Sequence, residues 1–272
     1  MEPGAPISPR LAPKTMPLLR PTVPSYWVFR ATRALVKFFY PVPTLVGESN
    51  IPEGACVIVG NHAQMNGPIV AELYVPGDRS IWCNAEMMHL KEVPAYSYKD
   101  FWSEKPKAVR WFYKILSYMI APLSVCIFNN AHCIGVYRDL RIRKTFSQTI
   151  SRLKEDARIV IFPEIDPPVN NILYSFQERF IDLGKMYGRQ TGKNLSFVPM
   201  YVASDLKMLV FGKPIVYDTA SDPKEERERI CKELIDSISE LAYDLPPHRV
   251  VPYRNMSKRL YPTNERPNQI HK

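Results

Sequence analysis

Residues 55–62 read Ala55-Cys56-Val57-Ile58-Val59-Gly60-Asn61-His62. The run is apolar, uncharged and rich in β-branched residues, so it predicts a buried strand that ends at two polar side chains. Pro68 then opens a helix through Ile69-Val70-Ala71-Glu72-Leu73-Tyr74, with Asn66 or Gly67 near its cap.

Outward from that unit the alternation repeats. Ser80–Cys83 reads as a strand and 107–128 as a long, mostly helical apolar stretch. His132–Tyr137 is a strand running into Arg138, followed by an amphipathic helix from about Thr145 to Lys154 and a strand over 158–162. Phe176, Phe180, Leu183 and Tyr187 recur at helical spacing and predict a helix over 171–190. Ser196–Val202 and Met208–Phe211 read as paired late strands. A last helix has Asp222 as cap, Pro223 at its first position, and Ile230, Leu234, Ile238 and Leu241 on its buried face. Strands alternating with helices predict an α/β fold, a single mixed sheet flanked by helices over residues 45–245.

The flanks differ. Residues 1–25 are proline-rich and basic without periodicity, which predicts a disordered arm, and 246–272 form a basic, proline-rich tail. Between arm and domain, residues 26–44 carry Trp27, Phe29, Phe38 and Phe39 interleaved with Arg30, Arg33 and Lys37. Two readings stand for this helix: an amphipathic anchor at a membrane interface, or a helix packed on its own domain with solvated charges.

Composition narrows the classes. Charged residues at 23% and hydrophobic ones at 46% suit a globular fold, and 36 Lys+Arg against 27 Asp+Glu leave +9, which favours anionic partners. Tyr and Trp near basic residues do not form a known nucleic-acid module, so no nucleic acid is expected. Five cysteines without a CxxC pair predict neither a disulfide framework nor a zinc site, and His89, His132, His248 and His271 lack metal-ligand spacing. Prolines from Pro3 to Pro24 interrupt any signal-peptide core. No stretch reaches the ~18–20 uncharged apolar residues of a bilayer span, because Pro122 interrupts the longest one. The expected placement is peripheral, on the cytoplasmic membrane face.

Five blocks stand in an informative order. Val46–Gly54 precedes the first strand and Gly60-Asn61-His62; then come Ile134-Gly135-Val136-Tyr137-Arg138, Ile161-Phe162-Pro163-Glu164, Phe197-Val198-Pro199-Met200-Tyr201-Val202, and Phe211-Gly212-Lys213-Pro214-Ile215. Together they resemble the glycerolipid acyltransferase superfamily, which includes the glycerol-3-phosphate and lysophosphatidic acid (1-acylglycerol-3-phosphate) acyltransferases. The resemblance implies transfer of a fatty acyl group from acyl-CoA or acyl carrier protein to a lysophospholipid or glycerol-phosphate hydroxyl at a phospholipid membrane surface. It implies His62 as general base, Arg138 as the substrate-phosphate anchor, and Glu164 in the turn beside them. No cofactor and no metal is implied.

Two positions depart from the family pattern. The aspartate that normally follows the histidine by five residues is Gly67, and Ile165-Asp166 follows Glu164 where glycine is usual. Loss of a carboxylate that orients a catalytic imidazole costs on the order of 10⁴ in turnover in serine hydrolases. Three readings remain open. Asp166 or Glu164 takes over as the carboxylate on His62; transfer is weakened, with Asn66 a neutral and poorer orienter; or the fold survives as an inactive lipid- or protein-binding relic. Glu164 has a further structural reading, as an acceptor for backbone N–H groups in its turn.

Overall fold

The computed structural model describes residues 23–103 and 106–267. Most of the expected arm, and His271, lie outside the described residues. The chain runs α1 (Val23–Phe39), β1 (Thr44–Val46), β2 (Cys56–Gly60), α2 (Asn66–Tyr74), β3 (Arg79–Asn84), α3 (Val93–Ser97), α4 (Arg110–Asn130), β4 (Ile134–Val136) and α5 (Ile142–Lys154). It continues through β5 (Arg158–Ile161), β6 (Glu164–Pro168), β7 (Tyr174–Phe176), α6 (Asp182–Thr191), β8 (Ser196–Ala203), β9 (Met208–Phe211), β10 (Ile215–Val216) and α7 (Pro223–Tyr243).

The strand order is β1-β9-β8-β2-β5-β3-β4, with β10 also on β8. Pairing is parallel from β8 through β2, β5 and β3 to β4, and antiparallel where β9 and β10 join β8. The expected α/β class, a mixed and mostly parallel sheet flanked by helices, is therefore what the chain adopts. Strand β2 explains why. Val57 and Val59 enter one core layer with Leu153, Leu183 and Leu234, while Cys56 and Ile58 enter the other with Ala71 and Val198. A strand buried on both faces needs apolar residues at every position, and the 55–60 run supplies them. Asp222 caps α7 by accepting from the N–H groups of Lys224 (2.8 Å) and Glu225 (3.3 Å).

Three segments differ from expectation. The helix expected over 171–190 begins only at Asp182, after a tight helical turn over Glu178–Ile181. Tyr174–Phe176 instead pairs antiparallel with Glu164–Pro168 as a separate two-stranded sheet. Phe176 is buried as its helical spacing suggested, but it reaches the core from a strand. The strand at 132–137 shortens to Ile134–Val136, with His132 in a left-handed turn (φ 53°). Pro122 does not end α4. With the turn before it, Lys107–Asn130 makes 24 continuous helical residues, long and apolar enough to cross a membrane by length and composition.

Candidate active site

The parallel strands β2, β5 and β4 end on one side of the sheet, where α/β folds place ligands. β2 delivers His62, β5 delivers Phe162 to Glu164, and β4 delivers Arg138. Asn61 anchors the first loop: its amide donates to the Val202 carbonyl (3.3 Å) and its Oδ1 accepts from the Val202 N–H (2.7 Å), tying the end of β2 to β8. Ala63 and Gln64 then turn through left-handed conformations, φ 45° and 55°. That turn brings the Gln64 carbonyl back onto Nδ1 of His62.

A carbonyl oxygen only accepts, so Nδ1 carries the proton and Nε2 keeps its lone pair. Burial holds His62 below the usual histidine range, partly offset by the Gln64 carbonyl and by the negative charge of Asp100. The ring is thus a neutral base with its basic nitrogen on Nε2. Phe162 and Tyr253 meet it edge-on, each with centroids 5.6 Å away.

Glu164 is 4% exposed and spends both oxygens on backbone. Oε2 accepts the N–H of His62 (2.5 Å) and Oε1 the N–H of Tyr174 (3.0 Å). Burial pushes its carboxyl up to about 7, against the pull of those two donors. Glu164 therefore grips the backbone of His62, not its ring. Asp166 does not reach the ring either: its Oδ2 accepts from Nε (2.8 Å) and Nη2 (2.6 Å) of Arg254. Among the described residues no carboxylate pairs with a ring nitrogen of His62, and the expected roles of Asp166 and Glu164 as its orienters give way to a backbone carbonyl. Asn66 is also elsewhere, donating to the Ala63 carbonyl (3.1 Å).

Position 67 has no room for a side chain. A Cβ on Gly67 would lie 2.6 Å from the His62 carbonyl oxygen, 2.7 Å from that of Asn61 and 2.9 Å from the Phe162 ring. The first turn of α2 packs directly on the histidine loop, and the Gly67 N–H donates to the His62 carbonyl (3.0 Å).

His62 and Arg138 line one cavity of about 640 Å³. Its wall is largely apolar, with Phe29, Val36, Ile69, Leu73, Ile81 and Phe128. Arg138 is exposed and has no hydrogen-bond or ion-pair partner among the described residues, whereas its neighbour Arg141 is held by Asp139 (2.8 Å). The arrangement offers a neutral base, a free cation and a hydrocarbon-lined space together. Among the other histidines, His89 meets the Tyr137 hydroxyl (3.0 Å) and buried His248 meets that of Tyr201 (2.9 Å), both satisfied structurally.

No protein-family model and no curated protein matches this chain. Among the solved structures similar in arrangement is the 1-acyl-sn-glycerophosphate (LPA) acyltransferase PlsC from Thermotoga maritima, 15% identical over 82% of this chain and 81% of that one, with a TM-score of 0.48.

The sequence did not point to the segment after Pro246. Tyr253 and Arg254 line the cavity, and the Gln64 side chain donates to the Arg254 carbonyl (3.3 Å) and the Tyr261 hydroxyl (3.0 Å). Buried Asn264 fastens the same segment to the Ala242 carbonyl (2.8 Å). Its only signal was an aromatic residue beside an arginine within a proline-rich stretch. Asp100 also lines the cavity, from an irregular helical turn over Tyr98–Trp102, with Tyr96 donating to it (3.2 Å).

Proposed function

We propose that this protein transfers a fatty acyl group from a thioester donor, acyl-CoA or acyl carrier protein, to the hydroxyl of a lysophospholipid or glycerol-phosphate acceptor. The observation that carries the reading is the Gln64 carbonyl held on Nδ1 of His62, which leaves Nε2 as the basic nitrogen, in a cavity shared with Arg138 and an apolar wall. Nε2 takes the acceptor's proton as its oxygen attacks the thioester carbonyl. The C–O bond forms, the C–S bond breaks, and the imidazolium returns the proton to the departing sulfur. Arg138 holds the acceptor's phosphate, which a guanidinium fork suits. The Gln64 carbonyl fixes the tautomer, as an orienting aspartate would, but brings no full charge to stabilise the imidazolium.

The apolar faces of α1 and α4 support a seat at the membrane surface. Trp27, Leu35, Phe38 and Phe39 on α1 are exposed, as are Trp111, Ile115, Tyr118 and Met119 on α4. The two helices pack against each other. Such a seat on the cytoplasmic face would give a lipid acceptor a short path to the cavity.

The test is transfer of a radiolabelled acyl group from acyl-CoA to a panel of lysophospholipids on vesicles. His62→Ala is expected to lower turnover at least 100-fold, in the range of a lost general base. A wild-type protein that transfers nothing yet binds the acceptor would favour the lipid-binding reading, to which the neutral partner of the His62 ring already lends support.

A further inference from the structure

Arg254 and Asp166 form an ion pair whose place is unusual for a structural role. Their side chains are 61% and 42% exposed, so water screens the attraction and the pair adds little to stability. Yet the geometry is specific. Nε and Nη2 of Arg254 both donate to the single oxygen Oδ2, which leaves Nη1 without a hydrogen-bond partner among the described residues. The backbone is fixed as well, since the Arg254 carbonyl accepts from Gln64 in the histidine loop. Tyr253, one residue earlier, sits with its ring 5.6 Å from both His62 and Tyr174. Arg254 is thus held by its side chain to Asp166 of the β6 strand and by its backbone to the Gln64 side chain, and it lines the cavity that holds Arg138.

We propose that Arg254 and Arg138 together clamp the anionic phosphate of the acceptor, and that Asp166 is a positioning residue that keeps Arg254 aimed at it. This inference rests on the acyl-transfer reading and adds a second cation to it, from a segment outside the family blocks. Two guanidinium groups from separate segments can share the oxygens of a phosphate, and a neutral acceptor forgoes both contacts. It also gives the odd acid of the Phe162-Pro163-Glu164-Ile165-Asp166 turn a task. Asp166 serves the phosphate site through Arg254 and has no direct part at the base.

The experiment compares a lysophosphatidate with an uncharged monoacylglycerol as acceptor, using the full chain. Arg254→Ala is expected to lower the preference for the phosphorylated acceptor roughly tenfold or more, as loss of a hydrogen bond to a charged group does, with the loss falling on KM. Asp166→Asn is expected to lower it less. The double variant should be no worse than Arg254→Ala alone, because Asp166 acts only through Arg254. Arg254→Lys should recover part of the preference. Equal losses on both acceptors, or additive losses in the double variant, would overturn the clamp. Titration calorimetry with glycerol 3-phosphate separates the two readings. If the wild type binds it, Arg254→Ala does not, and neither transfers acyl groups, the clamp stands and acyl transfer fails. If the wild type is active and Arg254→Ala binds and turns over the phosphorylated acceptor unchanged, the clamp alone fails.

Discussion

An aspartate at position 67 would put its Cβ against two backbone carbonyl oxygens and the edge of Phe162, all closer than 3.0 Å. Backbone on both sides cannot yield as a flexible side chain would, and the carboxylate would face carbonyls that repel it. An aspartate there should therefore harm the protein. Gly67→Asp is expected to destabilise it by about 3 kcal/mol, the upper end for an overpacked site, and to lower whatever transfer the wild type shows. Urea unfolding and the acyl-transfer assay check it together; a variant as stable as the wild type with higher turnover would show that the loop has room. At this scale the sequence was informative about which residues converge and poor on how they bond. His62 and Arg138 do share a cavity. The partner of the imidazole was illegible, because it is the carbonyl of Gln64, placed by left-handed φ angles at Ala63 and Gln64 that neither residue type favours.

Elements were legible where one signal dominated. Strand β2 and helix α7 lie where apolar runs and the Asp222-Pro223 cap placed them. The β6–β7 hairpin was not, since Pro167 and Pro168 argue against a strand and the buried Phe176 completes a false helical stripe. Helix α4 lies where the apolar stretch over 107–128 placed it, and Pro122 misled only on its length as a possible span, for it sits inside a helix that continues to Asn130. That continuity bears on the proposed membrane seat. Trp111, Ile115, Tyr118 and Met119 fall on successive turns and stay exposed, as do Trp27 and Phe38 of α1, which are 60% and 81% exposed. Inserting each aromatic side chain into lipid is worth roughly 1.5–3 kcal/mol. The variant Trp27→Ser, Phe38→Ser, Trp111→Ser is expected to lose more than 100-fold in affinity for anionic vesicles, with little change in thermal midpoint because none of the three sites is buried. Co-sedimentation at low and high salt measures it. Unchanged binding would assign the attraction to the +9 net charge and leave these faces without a membrane role.

Over the whole molecule, Glu164 joins parts that the sheet alone leaves apart. One carboxylate holds the His62 loop at the end of β2 and the start of β7 in the hairpin, both through backbone N–H groups. Its cost is the burial of an acid, which pushes its carboxyl from 4.5 to about 7. The folded chain then binds a proton here that the unfolded chain has already released. The contribution is fully present below pH 4.5 and is lost as pH rises through about 7, a total of roughly 3 kcal/mol at 1.36 kcal/mol per unit. His62 works in the other direction, because burial depresses it and acid must charge it at a cost. The raw stability profile mixes the two, so the informative quantity is the difference between wild type and Glu164→Gln. The amide cannot titrate and turns an NH₂ toward one of the two backbone donors, so the variant should be less stable at every pH. Its deficit should be largest near pH 4.5 and shrink toward pH 7.5, as the wild type gives up its proton. Urea unfolding midpoints across that range measure the deficit, and a gap that stays constant would mean that Glu164 is already ionised at acid pH, with the two N–H donors outweighing its burial.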